Sequence, residues 1–231
     1  MKRYLLKEYG SWGVMALSFL TGVLVSGGFS LKVLPAFIAI CLLINSKQAL
    51  TLWWRAQPAE SGRHMAAFSM QAGPASVILL LLFGESVTKF LPYAGVPLAY
   101  ILLSRYAGEH AVYTEVAGFA LLAMAAPIAK FLCAGQVDLR LYIAVAVFFC
   151  AGVFKVRVQL RKRIWERSAM CLYLVFAATV YYVISAPFFA LIPLSDNLIF
   201  AVTLYKIKLR AAGWTEVLKG VTFLVLMFLF Y

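Results

Sequence analysis

Long apolar stretches separated by short polar joins run along the whole chain. They predict helices near residues 10–27, 30–50, 65–83, 91–106, 110–134, 137–160, 167–186, 190–208 and 213–230, because each stretch approaches the ~20 apolar residues that cross a bilayer. Glycines and prolines mark the joins, as at Gly135 and Pro187. We therefore expect an all-α fold of about nine transmembrane helices, forming one polytopic domain over residues 1–231.

The composition favours lipid as the main solvent of this chain. Of its 231 residues, 64% are hydrophobic and 13% are charged, and the mean hydropathy is +0.91. Such a chain has too few polar side chains to cover a water-soluble fold of its size. The net charge of +12 is explained by loops that attract anionic lipid head groups, so we expect membrane lipids and no nucleic acid as partners.

Basic residues fall mostly on one side of the predicted helices. With a cytoplasmic N-terminus, 17 of the 21 lysines and arginines lie in cytoplasmic joins, and the outer side holds Lys32, Lys89, Lys130 and Arg140. Cytoplasmic loops of membrane proteins are enriched in these residues, so we predict a cytoplasmic N-terminus and an outside C-terminus. Asp138 and Asp196 are then also expected on the outer side.

The sequence contains no recognisable metal or nucleotide signature. Cys41, Cys133, Cys150 and Cys171 lie inside apolar stretches without a CxxC pair, which predicts buried thiols rather than a metal site. The patterns GxxxxGK[ST], GxSxG and HExxH are absent. We therefore expect no cofactor and no metal, and neither a hydrolase nor a nucleotide-driven pump.

Two places combine charge with membrane depth. Glu115 lies about 7–9 Å inside the helix that begins near Glu109, where an ionised carboxylate needs an arginine or lysine from another helix. The alternative is a salt bridge or a protonated acid that only holds two helices together. Lys7, Glu8 and Trp12 stand at the mouth of the first helix, as an interfacial anchor or as part of a polar site.

The sixth predicted helix ends in the basic run VRVQLRKRIWER. Arg157 and Arg161 are four residues apart, so they can present two guanidinium groups along one face to a phosphate or carboxylate. Lys155 and Arg157 lie nearest the membrane. The alternative interpretation is that these basic residues form a stop-transfer signal at the end of the helix.

Further charges lie near the predicted cytoplasmic ends of other helices. Arg105 is one candidate for binding a ligand on that side. Glu216 is another, although it is three residues from Lys219 and the two side chains can simply pair with each other.

Three blocks of sequence resemble the YwiC-like family of bacterial integral membrane proteins: KEYGSWGVMALSFLTG, VFFCAGVFKVRVQLRKR and GWTEVLKGVTFL. Members of that family begin with the pattern K-E-H-G-x-W. Lys7, Glu8, Gly10 and Trp12 match it, while Tyr9 stands in place of the histidine. The resemblance implies a multi-pass protein of the bacterial cytoplasmic membrane.

The predicted architecture also resembles, more distantly, that of UbiA-type intramembrane prenyltransferases. Those enzymes carry two Asp-rich cytoplasmic loops that bind a prenyl diphosphate through Mg²⁺. The first loop corresponds to INSKQALTLWWR, in which Asn45 remains but Ala49 and Trp53 stand where carboxylates are expected; the second corresponds to the basic FKVRVQLRKR. We therefore do not expect Mg²⁺-dependent prenyl transfer.

The preferred hypothesis is a UbiA-like bundle that binds an amphipathic anion, such as a lipid or isoprenoid, in a cavity on the cytoplasmic side. Lys155 and Arg157 would contact its head group. If a reaction takes place, Glu8 or Glu115 would be the acid or base, and binding without catalysis fits the same residues. The alternatives are a small ion- or proton-coupled transporter with its pathway at Glu115, and a scaffold for a respiratory or maturation complex.

Overall fold

The computed structural model describes residues 9–205 and 209–231. Lys7 and Glu8 lie outside this part of the chain, so their predicted roles stay predictions. The described residues form α-helices and short 3-10 helices, and no β-strand is found among them. The predicted all-α fold is confirmed.

The helices follow the predicted apolar stretches. They are α1 (Tyr9–Val25), α2 (Val33–Arg55), α3 (Pro58–Phe83), α4 (Gly95–Tyr106), α5 (Val112–Ala123), α6 (Ala125–Ala134), α7 (Leu139–Arg161), α8 (Ile164–Val183), α9 (Ser195–Thr203) and α10 (Leu209–Phe230). Two 3-10 helices, Gly84–Tyr93 and Phe188–Leu194, precede α4 and α9. Most predicted boundaries lie within a few residues of these.

One predicted helix is divided in two. The apolar stretch 110–134 was expected to be continuous, but α5 ends at Ala123 and α6 begins at Ala125. Pro127 has no backbone N–H to donate to the carbonyl of Ala123, and its ring crowds that carbonyl. The α-helical ladder is therefore interrupted just before the proline.

The stretch predicted as a helix over 190–208 is also different. Its first part is the 3-10 helix Phe188–Leu194, and α9 ends at Thr203, because Leu204 adopts a left-handed conformation with φ 48°. The Arg167 side chain donates hydrogen bonds to the carbonyl oxygens of Ala201 and, at 3.1 Å, of Val202. A cation at this position satisfies carbonyls that have no partner within the helix.

Five helical stretches of the described residues are long and apolar enough to cross a membrane: Val33–Arg55, Glu60–Tyr93, Val112–Ala134, Leu139–Arg161 and Ala211–Phe230. Gly10–Val25 and Phe188–Thr203 are apolar but shorter. Several membrane crossings are thus available, as the sequence predicted. The count of nine crossings stays a prediction.

The chain divides into two compact units. One contains Phe29–Leu91, in which α2 and α3 pack against each other as a helical hairpin. Polar side chains link the two helices of this hairpin. Asn45 Nδ2 donates to Gln71 Oε1 at 2.9 Å, and Trp53 Nε1 donates to Ser61 Oγ at 2.9 Å.

The other unit contains Gly10–Gly28 and Pro92–Tyr231, and α7 is its central helix. α7 contacts α5, α6, α8 and α9. Its buried face is largely apolar: Phe148 stacks on Phe223 of α10 with ring centroids 3.9 Å apart, and Phe149 meets the same ring edge-on. This apolar layer separates polar groups near the two ends of α7.

Candidate functional site

Polar side chains from α7, α9 and α10 converge inside the second unit. We call this group the central polar cluster, and it consists of Lys155, Asp196, Asn197, Tyr205, Glu216 and Lys219. Tyr205 lies just after α9, and the other five residues belong to α7, α9 and α10.

Each lysine of the cluster contacts both carboxylates. Lys155 Nζ meets Asp196 Oδ2 and, at 2.9 Å, Glu216 Oε1. Lys219 Nζ meets the same Glu216 oxygen and lies 3.5 Å from Asp196 Oδ2. The predicted pairing of Glu216 with Lys219 is thus confirmed, as part of a larger network. The two positive and two negative charges cancel.

Neutral groups complete the central polar cluster. Lys219 donates to Asn197 Oδ1 at 2.6 Å, and Asn197 Nδ2 donates to the carbonyl oxygen of Ala151 at 3.3 Å. The Tyr205 hydroxyl donates to Asp196 Oδ1 at 2.8 Å. Both oxygens of Asp196 therefore have partners.

The cations and the anions of the cluster differ in accessibility. The Lys155 side chain is 2% exposed and that of Lys219 is 9% exposed, whereas Asp196 and Glu216 are 32% and 33% exposed. The ammonium groups are thus enclosed and the carboxylates are open on one side. Charges as buried as these lysines are tolerated when they are paired and hydrogen-bonded.

The two lysines of the cluster occupy different heights on their helices. With a rise of 1.5 Å per residue, Lys155 is about 24 Å from Leu139 and about 9 Å from Arg161 along α7. Helical side chains lean toward the helix N-terminus, so Lys155 leans away from the Arg161 end. Lys219 stands about 15 Å from Leu209, near the middle of α10.

The predicted position of Asp196 is wrong. The sequence placed it on the outer side, opposite Lys155, but its carboxylate contacts the Lys155 ammonium group. The reason is the interrupted helix before it: the 3-10 segment Phe188–Leu194 carries the chain inward before α9 begins at Ser195. Asp196 therefore lies in the first turn of α9, rather than near the outer end of a helix that begins at residue 190.

A second buried ion pair joins α5 and α7. Arg157 donates to Glu115 Oε2 from Nε at 3.0 Å and from a terminal nitrogen, which lies 2.9 Å away. The guanidinium also donates to the carbonyl oxygen of His110 at 2.6 Å. The predicted basic partner of Glu115 from another helix is confirmed, and it is Arg157.

The remaining predicted site residues lie apart from these two groups. Arg161 is exposed and pairs with Glu166 of α8 at 3.2 Å, so it does not continue the face that holds Arg157. Arg105 is exposed near the end of α4. Trp12 is partly buried near the start of α1. Their predicted contact with a ligand stays a prediction.

The opposite end of α7 carries another polar group, centred on Asp138. Lys130 Nζ lies 2.6 Å from Asp138 Oδ2, which also accepts from the Tyr231 hydroxyl at 2.9 Å. Asp138 Oδ1 accepts from the Leu141 N–H at 2.9 Å and so caps α7. Burial raises the pKa of Asp138, but the bonds from Lys130, Leu141 and Tyr231 lower it more, so the pKa lies below its usual value.

The cysteines do not form a metal site with other residues. All four are unpaired, and Cys150 is buried with its thiol 3.5 Å from the carbonyl oxygen of Val116. The other three are partly buried. Within residues 9–205 and 209–231, no group of three or more His, Cys, Asp and Glu side chains is arranged to hold a metal ion.

Comparison with known proteins gives a family. The sequence profile described as YwiC-like protein matches residues 5–130, which is more than half of the chain. The chain belongs to the YwiC-like protein family. This confirms the predicted resemblance, and the family and the apolar helices together fit a multi-pass membrane protein. No curated protein and no solved structure matches the chain, so the UbiA-like arrangement stays a prediction.

The YwiC-like match includes Glu115 but ends before α7. The central polar cluster therefore lies beyond the matched residues, and any role for it is argued from its geometry. Sequence reasoning missed Asp196, Asn197 and Tyr205 as site residues. One signal could have found two of them: an acid and an amide follow Pro193 within the apolar stretch FFALIPLSDNLIF.

Proposed function

We propose that the chain is a small membrane transporter that moves an ion or a proton through a pathway at the central polar cluster. The observation that carries this proposal is that two enclosed lysines share two carboxylates that are open on one side, within a helical unit that is otherwise largely apolar. Ionisable side chains inside a membrane bundle are costly, and they often line ion pathways or proton relays.

Interrupted helices support this proposal. Transporter sites are often built where a membrane helix is broken near the middle of the bilayer. Here α9 begins at Ser195, directly beside the cluster, after a 3-10 segment containing Pro193. The positive end of the α9 dipole favours the negative charge of Asp196 in the first turn. α5 and α6 form a second interrupted helix in the same unit.

Charge balance favours transport over the lipid-binding hypothesis at Lys155. Its ammonium group already contacts two carboxylates, and Arg157 is already paired with Glu115. An anionic head group would have to compete with these partners. A small ion or a proton can instead bind to one group of the cluster while the remaining charged groups keep their partners.

Binding of an anionic lipid or isoprenoid head group is the second candidate, and a different segment favours it. Arg161, Lys162 and Arg163 are exposed between α7 and α8, followed by the exposed Ile164 and Trp165. Basic residues beside an exposed tryptophan are typical of a membrane interface that attracts anionic lipids. Loss of co-purifying anionic lipid from an Arg161→Gln, Lys162→Gln, Arg163→Gln variant would support this candidate, and unchanged lipid would contradict it.

The proposed orientation follows the basic residues. We assign the exposed segment Arg161–Arg163 to the cytoplasm by the positive-inside rule. Asp138 and Tyr231 contact each other at the other end of α7, so that end would face the outside. This is compatible with nine crossings, a cytoplasmic N-terminus and an outside C-terminus in the bacterial cytoplasmic membrane.

Ion flux in proteoliposomes tests the transport proposal. The full chain is reconstituted in liposomes that contain a pH-sensitive dye, and a K⁺ diffusion potential or an Na⁺ gradient drives the flux. We expect the dye to report H⁺ movement, driven by the potential or exchanged for Na⁺, above that of protein-free liposomes. Lys155→Met should lower it roughly tenfold or more, because it removes one of the two cations that the carboxylates of the cluster share.

Two further variants make this experiment decisive. Lys162→Met removes an exposed lysine after α7, so it should leave the flux unchanged. Lys155→Met combined with Glu216→Gln restores charge balance; it should recover a monodisperse gel-filtration profile while flux stays lost. Wild-type protein without ion flux, or equal losses in Lys155→Met and Lys162→Met, would overturn the proposal.

A further inference from the structure

We infer that the transported ion is a proton, and that Glu216 takes it up and releases it through its Oε2 oxygen. This inference rests on the proposed transport function and deepens it by naming both the ion and the residue. It transfers the proton-carrying role from Glu115, which the sequence suggested, to α10.

The two oxygens of Glu216 have different surroundings. Oε1 contacts both Lys155 and Lys219. Oε2 has no ion-pair contact within the described residues, and it faces Gly152 of α7, where an added Cβ would lie 3.5 Å away. A proton on Oε2 therefore meets no cation among the described side chains, and the absence of a side chain at Gly152 leaves room around it.

Asp196 is less suited to carry the proton. Its Oδ2 meets both lysines, and its Oδ1 accepts a hydrogen bond from Tyr205. Protonation of either oxygen would disturb an existing contact. The position of Asp196 in the first turn of α9 also favours its ionised form.

The lysines remain partnered when Glu216 becomes neutral. Lys155 retains Asp196, and Lys219 retains both Asn197 Oδ1 and Asp196. Every buried ammonium group then still has an acceptor. Breaking a buried ion pair usually costs much free energy because one charge is left without a partner, and that cost does not arise here. The cluster would change from neutral to singly positive, and it would return to neutral when the proton leaves.

Among the side chains that the structure describes, the charged and titratable groups near Glu216 come from several neighbouring elements. α7 contributes Lys155, α9 contributes Asp196, the residues after α9 contribute Tyr205, and α10 itself contributes Lys219. The 3-10 helix Phe188–Leu194, which packs on α10, has no titratable side chain. Arg157 of α7 is held by Glu115.

Infrared difference spectroscopy tests this assignment on the purified full chain in detergent. On acidification we expect the wild type to gain a carboxylic C=O band from the protonated Glu216 side chain. Glu216→Gln should lose this band, because the amide preserves the shape but cannot take up the proton. Glu115→Gln and Asp196→Asn should retain it.

The outcomes separate this inference from the transport proposal. A band that persists in Glu216→Gln, or that disappears in Glu115→Gln or Asp196→Asn, would overturn the assignment even if the protein carries ions. A Glu216-dependent band in a protein without ion flux would instead overturn the transport proposal alone. Glu216→Asp retains a carboxyl group, so it should keep the band at a shifted frequency, and its loss with an unchanged gel-filtration profile also contradicts the assignment.

Discussion

Lys155 shows how the environment of one side chain departs from what its sequence position suggests. A lysine about 9 Å from a helix end in a membrane commonly extends its ammonium group outward to water. Here the side chain leans inward and contacts Asp196 and Glu216. An apolar residue would fill the same space without desolvating a charge, so a functional role explains the lysine better than packing does.

Asp138 provides a pH-dependent prediction at the residue scale. Its folded pKa lies below the usual value, because Lys130, Leu141 and Tyr231 stabilise the carboxylate more than burial opposes it. The unfolded chain therefore binds this proton more readily, and the stabilisation is complete above pH ~4. We expect the melting temperature to fall as the pH drops below about 4.

Asp138→Asn removes the charge but keeps an oxygen that can accept from Leu141. It should lower the free energy of unfolding by about 1–3 kcal/mol at neutral pH, since Lys130 loses its partner. The variant should also lose part of the acid-dependent fall in melting temperature. Thermal unfolding monitored by circular dichroism between pH 3 and 7 measures both effects, and identical pH profiles would contradict the stated role.

Sequence reasoning predicted one ion pair, between Glu115 and a basic residue of another helix, and the structure shows that this residue is Arg157. The predicted depth of Glu115 was too large, because α5 begins only at Val112 and Glu115 lies in its first turn. The central polar cluster joins residues from three helices that are distant in the chain. The cluster forms only because the 3-10 helix before α9 ends at Leu194 and α9 begins at Ser195. The apolar pattern of the sequence does not predict this boundary.

The helices themselves were largely predictable, whereas their interruptions were not. Apolar length predicted both ends of α7 to within two residues and those of α2 and α10 to within five, because lipid requires an unbroken apolar run. Pro127 and Pro193 lie in runs that are equally apolar. A proline in a membrane helix can bend the helix or divide it, and neighbouring helices decide which occurs.

Gly22 gives a prediction at the level of one helix pair. A methyl group there would overlap the carbonyl oxygen of Ala126 and lie 2.9 Å from its carbonyl carbon. Because a backbone carbonyl cannot move aside as a side-chain end can, Gly22→Ala should cost about 1–3 kcal/mol. Heating in detergent followed by gel filtration measures the loss of folded protein.

Gly13 is the matched control in the same helix. No atom lies within 4 Å of a Cβ added there, and alanine favours a helix over glycine by up to about 1 kcal/mol. Gly13→Ala should therefore be neutral or slightly stabilising. If the two variants had equal stability, the close approach of α1 to α6 would be refuted.

At the scale of the second unit, polar groups occupy both ends of α7 with an apolar layer between them. α7 has 23 residues and is about 34 Å long, which exceeds the hydrocarbon thickness of about 30 Å. The Arg161 end of α7 continues into exposed basic residues. Its Asp138 end carries one carboxylate, which pairs with Lys130, and the basic residue Arg140. The positive-inside rule therefore assigns opposite sides of the membrane to these two ends.

Accessibility of engineered cysteines tests that assignment in intact cells. Gln136 and Arg163 are both exposed, and they lie just before and just after α7. With Cys41, Cys133, Cys150 and Cys171 replaced by alanine, Gln136→Cys should react with a membrane-impermeant maleimide from outside. Arg163→Cys should react after the membrane is permeabilised. Reaction of both from one side would show that α7 does not cross the bilayer, and the reverse pattern would place the exposed basic segment outside, where anionic lipids could not explain its charge.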